Sequence, residues 1–179
     1  MYKIALCGAH GTGKTTLVKI LAPKLNLQSL DGNTRATWEH FGVSDFEKMP
    51  SDARTIFQNH LLLKQIEKED IHNNGFVTDR SVLDFLGYTV LSSDMSGSQF
   101  KLFEQLVKER LKNYTHFIYL PVEFSAENET LRANVETRQE FAQIIEEYLE
   151  KWFEPEKYLK ATGSVESRIE QINNFISNV

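Results

Sequence analysis

The chain has little of what marks a secreted, membrane-bound or polynucleotide-coating protein. Its 179 residues include one cysteine, Cys7, so no intrachain disulfide can form and a reducing compartment fits. No apolar run approaches the ~20 residues that a spanning helix needs. No signal-peptide pattern precedes the first apolar segment, which reads directly as a core strand. The expectation is a cytoplasmic protein with no membrane partner. Basic excess is also missing: 20 Lys and Arg stand against 25 Asp and Glu, for a formal net charge of -5. A general polynucleotide binder needs a basic stripe, so the balance argues against nucleic acid. It leaves room for a local basic pocket that takes one nucleotide. Five histidines without ligand spacing and a single thiol make no zinc site. There is no repeat, linker or low-complexity stretch. Residues 1–179 read as one domain with a sizeable core.

What the sequence does have is alternation of short apolar runs with amphipathic stretches. Strands are expected at Met1–Cys7, Leu27–Asp31, Gly75–Thr78, Thr115–Leu120 and Tyr158–Ala161. Helices are expected at Lys14–Leu25, from Ser51 as N-cap to about His72, at Ser81–Leu91, Phe100–Lys112 and Glu127–Phe153, and after Ser164. On the long helix from Ser51, the residues Ile56, Phe57, His60, Leu61, Leu63 and Ile66 are expected near one side. On the next but one, Phe103, Leu106, Val107 and Leu111 are expected to share a face. Ser92–Ser98 reads as a polar loop. Strand–helix alternation throughout implies an α/β fold: a five-stranded parallel sheet with helices on both faces. Ligands of such sheets sit at the carboxyl ends of the strands.

The first strand runs into Gly8-Ala9-His10-Gly11-Thr12-Gly13-Lys14-Thr15, which fits G-x-x-x-x-G-K-[ST], with Thr16 continuing into the helix. The chemistry explains the pattern. Glycines let successive backbone N–H groups turn inward around a phosphate, and the helix N-terminus adds partial positive charge. Lys14 can reach the β- and γ-phosphates from a backbone-held loop, where it is expected to carry little packing. The Thr15 hydroxyl can ligate Mg²⁺. The implied ligand is ATP as phosphate donor, with Mg²⁺ as cofactor.

Asp79 and Arg80 fall just past the third strand. If that strand neighbours the first, Asp79 faces the γ-phosphate. There it can hold a Mg²⁺-bound water or accept a proton from an attacking hydroxyl. The plain alternative makes Asp79 a helix cap and Arg80 a surface residue. Asp84, one turn on, is either a partner of this site or exposed. Phosphoryl transfer also needs cations on the developing negative charge. Arg132 and Arg138, on the charged stretch after the fourth strand, are candidates, Arg138 foremost. The alternative is a solvated helix with ordinary ion pairs.

The motifs GAHGTGKTTL, FQNHLLLKQ, FVTDRSVLDFLGY, HFIYLPV and ATGSVESR together resemble the thymidylate kinase and deoxynucleoside kinase group of P-loop kinases. Nearest among them is a branch that includes nicotinamide riboside kinase-like ATPases. The Asp79-Arg80 pair is like that of thymidylate kinases. The Ser81-x-x-Asp84 that follows is more like deoxynucleoside kinases. The resemblance implies a kinase moving the γ-phosphate of ATP to a nucleoside monophosphate or nucleoside. The alternatives are a nicotinamide riboside kinase-like enzyme and a regulatory ATPase with no small acceptor. It places Phe57 and Gln58 at a substrate base and Asp31 and Arg35 beside the acceptor, with Arg80 and Asp84 completing that side. Gly163, Ser164 and Val165 would flank adenine, and residues 122–140 would form a lid. A homodimer is compatible. A GTPase switch would need N-K-x-D, which the chain lacks. A transporter-type ATPase would place its Gly-rich signature before the acidic strand end, whereas Met95–Gln99 follows Asp79. A ring-forming mechanical ATPase would need a longer module and a second helical domain.

Overall fold

The computed structural model describes residues 1–32, 34–42, 48–123 and 135–177. In chain order these form β1 (Lys3–Cys7), α1 (Lys14–Lys24), β2 (Gln28–Leu30), α2 (Thr34–His40), α3 (Ser51–Ile71), β3 (Phe76–Thr78), α4 (Val82–Ser92), α5 (Gly97–Leu111), β4 (His116–Tyr119), α6 (Val135–Trp152), a 3₁₀ turn at Pro155–Lys157, β5 (Tyr158–Lys160) and α7 (Val165–Ser177). The five strands form one parallel sheet in the order β2-β3-β1-β4-β5. This is the fold class the alternation implied. β3 lies beside β1 with Ala5 opposite Thr78. The residues after β1 and after β3 therefore emerge side by side at the carboxyl edge.

Period-two alternation distributes β1 between two cores. Ile4 and Leu6 pack with Leu17, Val18 and Leu21 of α1 and Ile172 and Ile176 of α7. Ala5 and Cys7 face the opposite layer, built from α3, α4, α5 and α6 through Phe57, Leu83, Val107 and Ile145. Ala9 of the Gly-rich loop belongs to this second cluster. Gly87 of α4 lets α6 approach closely: a Cβ there would lie 2.7 Å from the Phe141 ring and 3.0 Å from Ile145 Cδ1.

Several local expectations change. Pro50, not Ser51, is the N-cap of α3, and no side chain caps that helix. α5 starts earlier than expected, at Gly97, because Ser96 and Gln99 form a capping box. On α5 Phe103, Val107 and Leu111 are buried but Leu106 is 39% exposed. On α3 the buried stripe is Phe57, Gln58, Leu61, Leu62, Gln65 and Glu69, while Ile56 and Leu63 are more than half exposed. Of the expected helix Glu127–Phe153, residues 127–134 lie outside the described residues. Among the described residues no helix is long and apolar enough to cross a membrane.

Candidate nucleotide site at the carboxyl edge

The loop after β1 needs its glycines. Gly8 has φ +147°, and a Cβ there would sit 2.4 Å from the backbone oxygen of Leu120. Gly13, at φ +92°, is the N-cap of α1 and supplies no side-chain cap. The first amides of α1 are thus left for an anion. The Thr12 hydroxyl closes the loop on the Ala9 carbonyl at 2.9 Å. Lys14 is packed rather than projecting: it is buried, and its Nζ donates to the carbonyls of Gly8 at 2.5 Å and Ala9 at 2.7 Å. Burial pushes its ammonium down to about pKa 8, with Asp84 opposing the shift and Arg80 adding to it.

Asp79 meets this loop directly. Its Oδ2 accepts from the Thr15 hydroxyl at 3.0 Å, and its Oδ1 accepts from the Gly32 amide at 2.6 Å. It does not cap α4; Ser81 does, in a capping box with Asp84. Asp84 has no exposed surface. Its Oδ2 accepts from Ser81 N at 2.8 Å and Ser81 Oγ at 2.7 Å, and its Oδ1 from Gly8 N at 3.3 Å. The structure therefore places Asp84 behind the phosphate loop as a strut, with both oxygens engaged.

Arg80 is half-buried, its guanidinium 5.3 Å from the centre of the Tyr88 ring. Its carbonyl is held by Thr78 Oγ1 at 2.9 Å and Gln65 Nε2 at 3.1 Å. Gln65 in turn donates to Glu69, which also accepts from the Tyr114 hydroxyl at 2.7 Å. Tyr114 itself accepts from Val82 N at 3.0 Å, at the start of α4. Burial raises the Glu69 carboxyl above its usual range. A buried polar network thus fixes both sides of the Asp79–Ser81 turn from behind.

Two arginines reach the phosphate loop from distant helices. Arg138 of α6 is 2% exposed and donates from Nε to the His10 carbonyl at 3.1 Å. The side chain is thus buried against the phosphate loop. Arg132 lies outside the described residues. The second is Arg168 of α7, to which the sequence reading gave no role. Its Nη1 donates to the Thr12 carbonyl at 2.6 Å, and its Nη2 pairs with Glu123 Oε2 at 2.5 Å. Only its position four residues past Ser164, on the first turns of a helix, hinted that it returns to this edge. Gly163 gives its amide to the same Glu123 oxygen at 2.9 Å. Gly163, Ser164 and Val165 therefore lie beside the phosphate loop, tied through Glu123 and Arg168.

The residues expected on the acceptor side are spread over β2, α2 and α3. Asp31 is exposed just past β2, and its backbone oxygen accepts from Lys68 Nζ at 2.8 Å. Arg35 falls on α2, and its side chain lies outside the described residues. Phe57 is buried in the cluster that contains Ala9, with the Phe41 ring edge-on at 5.7 Å. Gln58 is 3% exposed, and its Oε1 has no hydrogen-bond partner among the described residues. Trp38 Nε1 of α2 is likewise buried without one. Among the described residues no group of three or more His, Cys, Asp or Glu is placed to hold a metal alone. Mg²⁺ takes one or two protein oxygens and completes its shell with phosphate and water, so Thr15 and Asp79 suit it.

Solved structures share this architecture at low identity. Deoxyadenosine kinase from M. mycoides, with products dCMP and dCDP bound, superposes with a TM-score of 0.72 at 18% identity, over 99% of this chain and 100% of that one. NadR protein in complex with NR gives 0.77 at 17% identity, over 98% of this chain and 52% of that one. NadR with NAD and AMP-PNP gives 0.75 at 16%, over 98% and 49%. The chain thus spans about half of NadR. No curated protein matches it. The fold is that of P-loop kinases. The model of one family, described as the AAA domain, matches residues 3–168, and the chain belongs to that P-loop family.

Proposed function

We propose that the protein transfers the γ-phosphate of ATP to a hydroxyl or phosphate of a nucleoside or nucleoside monophosphate. The loop amides and the α1 N-terminus would take the β- and γ-phosphates. Lys14 would exchange its two carbonyl partners for phosphate oxygens. Thr15 and Asp79 would hold Mg²⁺, which neutralises charge on the transferring group when bound. Because both Asp79 oxygens already accept hydrogen bonds beside Thr15, the metal-anchor role suits it better than that of base. Arg138 would rest over the loop, and with Arg80 and Arg132 would supply cations for the charge that develops on the phosphoryl oxygens. Gly163, Ser164 and Val165 would border the adenosine.

One observation carries the choice of a nucleoside-like acceptor over water. Gln58 is a buried amide with an unpaired oxygen, and its neighbour Phe57 shares a cluster with Ala9 of the phosphate loop. A buried acceptor left unpaired costs roughly 1–3 kcal/mol. A base edge offering an N–H would satisfy it, with Phe57, Asp31 and Arg35 completing that side. The kinase fold of the deoxyadenosine kinase and NadR neighbours is consistent with this reading. The test is an ATP-consumption screen over nucleosides, nucleoside monophosphates and nicotinamide riboside. Stimulation by one class supports a kinase and names the acceptor. Slow hydrolysis indifferent to every acceptor removes the proposal.

A further inference from the structure

The Arg168–Glu123 pair is not needed for the chemistry just described, and its arginine, unlike its carboxylate, is buried. The Arg168 side chain is 2% exposed and the Glu123 side chain 32%. Together they join three segments that are remote in sequence: the phosphate loop at Thr12, the exit of β4 at Glu123, and the turn before α7 at Gly163. The Arg168 guanidinium and the Gly163 amide hold the Glu123 carboxyl below its usual range.

Their partners are backbone groups, and that has a geometric consequence. In a trans peptide the C=O and the N–H of the next residue point in opposite directions. Arg168 draws the Thr12 carbonyl toward α7, so the Gly13 N–H is turned away from α7. That amide belongs to the phosphate cradle. At the other end, Glu123 holds the Gly163 N–H while Gln171 Nε2 holds the Thr162 carbonyl at 2.8 Å. The Thr162–Gly163 peptide plane is thus fixed from both sides. One guanidinium–carboxylate pair sets the orientation of a peptide at the phosphate end and of another at the nucleoside end.

We propose that Arg168 and Glu123 are positioning residues that set the spacing between the phosphate cradle and the adenosine-side loop, and so the preference for ATP over a bare triphosphate. The inference rests on the ATP reading given above. It separates the two partners. Arg168 holds the phosphate end at Thr12 directly and reaches the nucleoside end only through Glu123, whereas Glu123 holds Gly163 and Arg168 itself.

The test measures dissociation constants for Mg-ATP and Mg-tripolyphosphate, with melting temperature and the acceptor KM, in wild type, Arg168→Lys and Glu123→Gln. Lysine cannot reach Thr12 and Glu123 together, so Arg168→Lys should weaken both ligands by about tenfold, the scale of one lost charge-assisted hydrogen bond. Glu123→Gln, at a partly exposed position that spares the fold, should weaken ATP by about tenfold and tripolyphosphate by less than about twofold. The acceptor KM should move in neither variant. Glu123→Gln with unchanged ATP affinity, or with equal losses for both ligands, would overturn the clamp. A wild-type protein that binds tripolyphosphate but not ATP would instead overturn the donor reading on which the clamp stands.

Discussion

The Thr15 hydroxyl donates to Asp79 Oδ2 across 3.0 Å, joining the last residue of the phosphate-loop motif to the end of the neighbouring strand. The parallel pairing of β1 with β3 brings residues 64 positions apart into contact. It is the arrangement from which a divalent cation between protein and triphosphate would be held.

Asp79→Asn keeps the shape and removes the charge. ATP binding should largely survive, since loop amides and Lys14 supply most of it, while kcat should fall by a factor of roughly 10² or more. Because Ser81 caps α4, the melting temperature should change little. Raising Mg²⁺ should restore part of the rate. A fall that no Mg²⁺ concentration relieves would make Asp79 a proton acceptor instead, and an unchanged kcat would remove it from the site.

Lys14 gives the site a pH dependence. Burial pushes its ammonium down to about pKa 8, below the ordinary lysine value. A bound triphosphate favours the charged form, so above that pH binding must first take up a proton. ATP affinity should therefore be flat below pH 7 and fall by up to about tenfold per unit above pH 8. Titration calorimetry between pH 6.5 and 9.5 would show it. A flat profile to pH 9.5 would mean that the ammonium is not desolvated in solution.

Gln58→Met tests the acceptor side with a residue of similar length. Removing a buried, unpaired oxygen should leave stability unchanged or raise it by about 1 kcal/mol. The acceptor KM should rise by roughly tenfold or more, with the KM for ATP unmoved. Lower stability together with an unchanged acceptor KM would show that Gln58 serves the fold alone.

Tyr114→Phe opens the network behind the Asp79–Ser81 turn. It strips Glu69 of a donor and Val82 N of an acceptor, both in buried surroundings. Stability should fall by about 1–3 kcal/mol in a denaturant titration. A change under 0.5 kcal/mol would indicate that water replaces the hydroxyl.

The parallel sheet was legible because β1 carries contiguous apolar residues and buries both faces. The phosphate loop is legible because its chemistry is contiguous in sequence, and the structure joins its Thr15 to Asp79. The inner face of α3 departs from the hydrophobic period for a physical reason. Its core-facing stripe contains Gln58, Gln65 and Glu69, each buried and polar, so a hydrophobic period pointed instead toward Ile56 and Leu63. Polar residues serving a site or a network break the pattern that locates the core. Arg168 escaped because it acts on Thr12 from 156 residues away. No local spacing encodes that contact.

Transfer of phosphate to a nucleoside-like acceptor is tested most directly by the fate of γ-labelled phosphate from ATP. With the acceptor that the screen identifies, the label should appear covalently on that acceptor, with little free orthophosphate, and Lys14→Ala should abolish the labelled product. Release of the label only as orthophosphate, at a rate indifferent to every nucleoside and nucleoside monophosphate, would contradict the account.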